Sequence, residues 1–374
     1  MVDEELLELK ELIMKNSHTI NVYRSKSLIN AAIEKFQLDL SGLVVLTEAA
    51  TNYYMLTPMI AALANADKVY AITRDSRYGK AKDVHAATLD LAQIWGINSK
   101  IEIILSRDDR RIVDADIVTN LGFVRPLDKT FLISLKSTVA IPLMWAAWEY
   151  RKEDLDLEEA RRLGIPVLGT NELDHRLQTT KYVGITALKL LLNMDIEVFC
   201  SNIVIMGSND FAQPIREVIS NVGGISHCLE VTSKGEYDVK SFWESIDSAD
   251  ALVICDHRSK KRLFGIEKRP SAKDIYRRNP GLVVIHICGN VETNEIASAG
   301  LKYSSSSFAA PGFMTVTTDY VGPKPLIDLH TAGLHIGELL AKKRRQGLNR
   351  METEEAVLQE TTLAQGFSCV TSQY

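Results

Sequence analysis

The residues with the clearest chemical pattern lie between Ile203 and Glu230. Ile203-Val-Ile-Met runs into Gly207-Ser-Asn-Asp-Phe-Ala212, a helical stretch follows, and a second strand-like run ends at Glu230. Strand, glycine turn, helix and second strand form the frame that cradles a dinucleotide. The first glycine permits the tight turn, a later small residue lets helix pack on strand, and an acid about twenty positions on takes the ribose hydroxyls. Gly207, Ala212 and Glu230 fill those roles. Ser208, Asn209 and Phe211 share the turn, and Asp256 and Asn290 follow two later strand-like runs, so these are the expected cofactor-binding residues. The expected cofactor is NAD, because the Glu230 carboxylate would repel a 2′-phosphate.

Two positions depart from the pattern. Asn209 stands where the middle glycine belongs, and Asp210 follows it. Asn reaches the required φ but adds a side chain. A carboxylate about 4 Å from a phosphate costs on the order of 4 kcal/mol at an effective dielectric near 20. Both residues also suit an ordinary turn and helix cap, so a nucleotide site and a turn without one both stay open.

Other candidates follow from where they sit. In open α/β sheets ligands bind beyond the carboxyl ends of the strands. Glu48 ends a fully apolar run, where a buried acid would have a raised pKa suited to proton transfer; the plain reading is a helix cap or an arginine pair. Arg74 and Arg77 bracket the next strand end and could fork onto an anion, or pair with Asp75. Thr51, Asn52 and Asn120 occupy neighbouring turns as substrate-binding candidates. Of eight histidines, His330 is the preferred acid/base, because it precedes a helix after a Pro/Gly-rich loop. His286 lies within a strand-like run and reads as core. There is no Gly-x-Ser-x-Gly elbow, HExxH or Walker lysine, so serine-hydrolase, zinc-protease and P-loop chemistry lack their usual signatures.

The elements that must position these residues repeat along the chain. Apolar runs at 43–46, 69–73, 101–105, 116–119, 138–142 and 166–169 alternate with helical stretches near 57–66, 80–95, 128–135 and 157–163. Strands this apolar are covered on both faces, which predicts parallel βα units. After a bridging helix at 180–195 the rhythm restarts, with runs at 202–206, 227–231, 251–255 and 282–288. Each half opens on an apolar strand followed by a helix with Pro in its first turn (Pro58, Pro214), and each later carries an Ala-Asp pair before a strand. The expected fold is α/β: two tandem Rossmann-like parallel-sheet domains, with a C-terminal helix returning to the first. The expected boundaries are 1–178, 179–325 and 326–374, with a helix over 3–15, a final long helix from near Asp328, and a polar tail that packs back on the first domain or onto a partner subunit.

Composition fits this reading. The 374 residues are 46% hydrophobic and 24% charged, and 43 basic against 48 acidic side chains give a net charge of -5, which offers no electrostatic case for nucleic acid. The basic run Lys342–Arg345 reads as a helix end that favours the dipole. Five unpatterned cysteines read as buried free thiols in a reducing compartment, without a metal site. No apolar stretch is long enough to span a membrane and the N-terminus is not a secretory signal, so a cytoplasmic protein is expected.

With that layout in view, the chain resembles the two-domain D-2-hydroxyacid dehydrogenases and the similarly built S-adenosylhomocysteine hydrolases. Leu163-Gly-Ile-Pro-Val-Leu-Gly-Thr-Asn171 resembles the strand closing the dehydrogenases' first domain, and the helix at 180–195 their interdomain helix. Asp328-Leu-His330-Thr-Ala-Gly333 is similar to the segment carrying their catalytic histidine. The resemblance implies a substrate domain, an NAD domain and, at Arg258, a candidate for the arginine that holds the substrate carboxylate. It departs at Gly289-Asn-Val-Glu292, which lacks the family's Arg-Gly. The expected function is an NAD-dependent oxidoreductase that moves hydride to or from a small, polar, anionic metabolite. His330, Arg258 and Glu48 are the catalytic candidates, and a homodimer is expected. The alternatives are a non-catalytic or regulatory ligand-binding protein, and a hydrolase or lyase that uses tightly held NAD transiently.

Overall fold

The computed structural model describes residues 20–265 and 269–367. The helix expected over 3–15, Cys369 and the end of the tail lie outside them. The chain divides into unit 1, Met1–Leu177 with Pro323–Tyr374, and unit 2, Gln178–Gly322.

In unit 1 the strands β1 (Val44–Glu48), β2 (Lys68–Ile72), β3 (Ile101–Ile104) and β4 (Ile117–Val118) form a parallel sheet in the order β3-β2-β1-β4. A parallel bridge between Ile117 and Ala140 extends it towards β5 (Ile141–Pro142) and β6 (Val167–Thr170). Helices α1 (Val22–Phe36), α2 (Leu56–Leu63), α3 (Ala81–Ile94), α4 (Lys129–Ser134) and α5 (Leu157–Arg162) connect and cover the strands. Alternation along the strands sorts side chains to two cores. Val45, Val69 and Ile117 join Ile29, Phe36 and Ile60 on one face, while Leu46, Ile72 and Val118 join Phe131 and Leu132 on the other.

Unit 2 repeats the plan. It contains α6 (Thr179–Asn193), β7 (Asn202–Gly207), α7 (Asn209–Asn221), β8 (Ile225–Glu230), α8 (Val239–Ile246), β9 (Ala251–Cys255), α9 (Ala272–Arg278), β10 (Val283–Cys288), α10 (Thr293–Ala299) and β11 (Lys302–Tyr303). All pairs are parallel, in the order β11-β10-β9-β7-β8. The Ala-Asp pairs noted in the sequence do the same job in each unit. The Asp116 carboxylate accepts the N–H of Val44 at 2.9 Å, and Asp250 that of Asn202 at 2.7 Å. Each aspartate thus fastens the start of its strand to the first strand of its unit.

The last part of the chain belongs to unit 1. Helix α11 (Lys324–Arg345) packs on α1, α2 and β4–β6, followed by α12 (Arg350–Glu360) and β12 (Ala364–Gln365), which pairs antiparallel with β6. The cations ending α11 are bound locally: Lys342 to Glu338, Lys343 to Glu360, Arg345 to Asp116, and Arg344 to the Ser137 and Leu348 carbonyls. Buried Asp116 is also held by Lys136 at 2.7 Å.

Several expectations change. Helix α11 starts at Lys324, not near Asp328, because Pro323 and Pro325 fit a first helical turn whose N–H groups lack intrahelical partners. Residues 363–365 of the tail pair within unit 1: Leu363 O accepts from Asn171 N at 2.7 Å, and the Gln365 side chain accepts from Ala147 N at 2.9 Å. Cys255 and Cys288 are buried, but Cys200 is exposed. Helix α1 was not anticipated. Among the described residues no helix is long and apolar enough to cross a membrane, and no group of His, Cys, Asp and Glu could hold a metal.

Candidate functional site

The turn after β7 is built by close approach. A Cβ on Gly207 would lie 2.5 Å from both the carbonyl carbon and oxygen of Cys255. Only glycine therefore lets the end of β7 sit against the end of β9. Ser208 is the N-cap of α7 but does not cap it; its hydroxyl lies 2.7 Å from His257 Nδ1. The Phe211 and Ala212 amides bond the Ser208 carbonyl, which leaves those of Asn209 and Asp210 for another acceptor at the positive end of the helix dipole. Ala212 and Phe211 are buried against the strands, exposed Asn209 opens the helix, and Glu230 is exposed opposite Gly207 in the sheet register.

Asp210 does not stand as a bare charge. His257 Nε2 donates to its Oδ2 at 2.9 Å, and Arg258 Nη2 donates to the same oxygen at 3.2 Å. The His257 ring, bonded to Asp210 at Nε2 and to the Ser208 hydroxyl at Nδ1, stacks on Phe211 with centroids 4.1 Å apart. Burial alone would push the Asp210 carboxyl up; the His257 hydrogen bond and the charges of His257 and Arg258 outweigh it and hold the pKa at about 2. Asp256, next along the turn, is 1% exposed and its Oδ2 has no hydrogen-bond partner. Burial pushes its pKa up to about 6, against the backbone N–H groups of Ser259 and Arg258. Asn290, by contrast, spends its side-chain amide on the Lys260 carbonyl at 2.7 Å. The glycine turn, the uncapped helix and Glu230 fit a dinucleotide. The repulsion expected from Asp210 is offset by two paired donors.

Unit 1 gathers a second group at the carboxyl ends of its strands. Glu48 is 4% exposed, and its Oε2 accepts from Phe123 N at 2.7 Å. Burial raises its pKa, opposed by that N–H and by Arg125 and Arg74. Arg74 donates to the Gly122 carbonyl at 3.1 Å and lies over the Phe123 ring, while Asp75 pairs with Lys80 and not with either candidate arginine. Arg77 bonds the hydroxyl of its neighbour Tyr78. Asn120 spends its side-chain carbonyl on Met144 N at 2.8 Å; Thr51 packs against Gly79, and Asn52, with φ +57°, opens a short 3-10 helix (Asn52–Met55).

Sequence reasoning passed over Arg125, which lies over Trp145 and pairs with Asp154 at 2.6 Å. Nor did it pair Glu149 with Glu172. Burial, then the charge of Glu172 and a hydrogen bond to it, hold Glu149 well above the carboxylate range. The chain spacing of these residues gave no signal for either contact.

His330 lies inside α11 and not ahead of it. It is 4% exposed, its Nδ1 is 2.8 Å from Thr57 Oγ1, and burial pulls its pKa down to about 3. His286 is fully buried, bonded to Thr315 and the Gly289 carbonyl, and burial lowers it to about 4. Both rings are withdrawn from solvent. A cavity of about 400 Å³ lies elsewhere, between α6 and α7, lined by Lys181, Gln213, Pro214 and Arg216; none of the candidate residues lines it.

No family model matches the chain, and no curated protein matches it. Solved structures do. A dipicolinate synthase subunit from Bacillus halodurans is 10% identical, with 82% of this chain and 99% of that chain covered and a TM-score of 0.50. NAD+-bound 3-phosphoglycerate dehydrogenase from Entamoeba histolytica is 14% identical over 79% and 93% of the chains, at a TM-score of 0.41. The NAD complex of formate dehydrogenase from Staphylococcus aureus is 14% identical over 72% and 93%, at 0.39. The chain shares the fold of the dipicolinate synthase protein: α/β, with two Rossmann-like units in tandem and a C-terminal helix returned to the first.

Proposed function

We propose that the protein is an NAD-dependent oxidoreductase of a small, polar, anionic metabolite, with the dinucleotide held in unit 2. The supporting observation is the turn at Gly207. Its Cβ position is filled by Cys255, the helix after it is uncapped, and Glu230 lies opposite. In this reading the Asn209 and Asp210 amides at the start of α7 take the diphosphate and Glu230 takes ribose hydroxyls. NAD supplies the hydride acceptor or donor.

Acid/base work belongs to the carboxyls of unit 1. Burial raises the Glu48 carboxyl and lifts Glu149 well above its ordinary value, so each keeps its proton to a higher pH than a free carboxyl. Arg74, exposed beside Glu48, attracts the anionic group. His330 is a poor proton carrier in its buried setting.

The test is a mass spectrum of small molecules released from purified, denatured protein, with a thermal-shift titration of NAD and NADP. Bound NAD, or a shift with NAD that Glu230→Ala removes, supports the reading; no retained nucleotide and no shift at millimolar concentration refutes it. A second reading, a ligand-binding protein without catalysis, is favoured by one observation: Asp210, His257 and Arg258 close on one another at the helix start. It predicts no NADH formation from any small hydroxy acid.

A further inference from the structure

Arg258 and His257 meet Asp210 at the start of a thirteen-residue helix whose N-cap side chain is turned away. An uncapped helix start attracts an anion, and a guanidinium beside it supplies the forked donors that phosphate accepts. In this chain the anion already there is the protein's own. Arg258 is 53% exposed at its side chain and bonds Asp210 through one nitrogen, so most of its donors face outward. His257 is anchored by Phe211 and Ser208, with one edge on the carboxylate.

We propose that Asp210 is an internal counter-anion, and that His257 and Arg258 exchange it for the diphosphate of the dinucleotide when that ligand binds. The inference rests on the dinucleotide reading above and adds to it the residues that set affinity. Binding must break the Asp210 contacts, so the free protein holds its cations in place at the expense of affinity. After the exchange Asp210 is left beside Asp256, whose carboxyl is buried with one oxygen unpartnered. His257 and Arg258 act on the Asp210 carboxyl through their charges, and His257 acts on that of Asp256 as well. With both moved to the phosphates, the acid pair takes up a proton from solvent, and affinity rises as pH falls.

The experiment is isothermal titration of the full chain with NAD, and with inorganic pyrophosphate as a diphosphate probe. The chains are the wild type, Asp210→Asn, Arg258→Gln and the double variant. Asp210→Asn should bind about tenfold more tightly and lose proton uptake, and Arg258→Gln about tenfold more weakly, the worth of one charged hydrogen bond. The double variant is decisive. If Arg258 only shields Asp210, then Arg258→Gln costs nothing once Asp210 is neutral; under the exchange it still costs about tenfold. NAD binding by the wild type with no gain in Asp210→Asn, or no loss from Arg258→Gln in that background, overturns this inference and leaves the dinucleotide reading intact. No NAD binding by any of the four chains overturns both.

Discussion

The buried histidine in α11 gives a prediction that separates a structural from a catalytic role. His330 is 4% exposed, bonded to Thr57, and held by burial at a pKa of about 3. In the unfolded chain it returns to about 6.5. Between those values the unfolded state binds more protons than the folded state, so stability rises with pH and is lost on acidification. Going from about pH 7.5 to about pH 5, the penalty is roughly 1.36 kcal/mol times the 1.5 units below the free value, or about 2 kcal/mol. In His330→Leu that pH-dependent part vanishes, while the packing change costs the same at both pH values and cancels in the difference. Three of the four tryptophans, Trp95, Trp145 and Trp148, belong to unit 1, so urea unfolding followed by their fluorescence reports the unit that contains His330. The variant should lose about 2 kcal/mol less than the wild type over this interval. Equal losses would mean that His330 titrates freely, and the structural assignment would be wrong.

Three further outcomes follow from the packing and the charges. Gly207→Ala forces a Cβ to within 2.5 Å of the Cys255 carbonyl; unit 2, followed through Trp243, should lose about 1–3 kcal/mol, with NAD affinity falling as the turn opens. Asp116→Ala removes the shared partner of Lys136, Arg345 and the Val44 amide. It should cost unit 1 about 2–3 kcal/mol in urea unfolding, below the value for a fully buried pair because both cations reach water. Glu48→Gln keeps an acceptor for the Phe123 amide and removes a buried charge. Because the folded pKa is raised, the wild type loses stability as pH climbs above about 4.5. The variant should be the more stable chain at neutral pH, and the wild type's loss of stability with rising pH should be smaller in it.

The strands were legible because they are buried on both faces: runs such as Ala251–Cys255 have no polar side to confuse their period. Helix α1 escaped notice because only Ser25, Ile29, Ala32 and Phe36 of its fifteen residues are buried, one of them a serine, so its inward stripe is thin. The glycine turn was readable from local steric needs. What surrounds it was not: Asp210 and its partners are separated by 47 and 48 positions, and only the pairing of β7 with β9 brings them together. The Asp116 and Asp250 fastenings explain why the two Ala-Asp pairs showed as a repeat, since each sits at the same register point of its sheet. His330 was misplaced because the proline-rich start of α11 reads like a loop until the helix is seen to begin inside it.

Unit 2 is one uninterrupted stretch of chain, whereas unit 1 is closed by residues that arrive only after Gly322. On the ribosome the early segment must therefore wait. Its strands β4–β6 and helices α1 and α2 emerge without the apolar side of α11, where Leu334, Ile336 and Leu340 are fully buried. The inserted stretch has all its own strands in hand by then and can close first. A nascent polypeptide stalled near residue 322 would thus combine a finished nucleotide-type sheet with an unfinished, aggregation-prone partner. Synthesis of the segment after Gly322 then becomes the step that commits unit 1 to its native state.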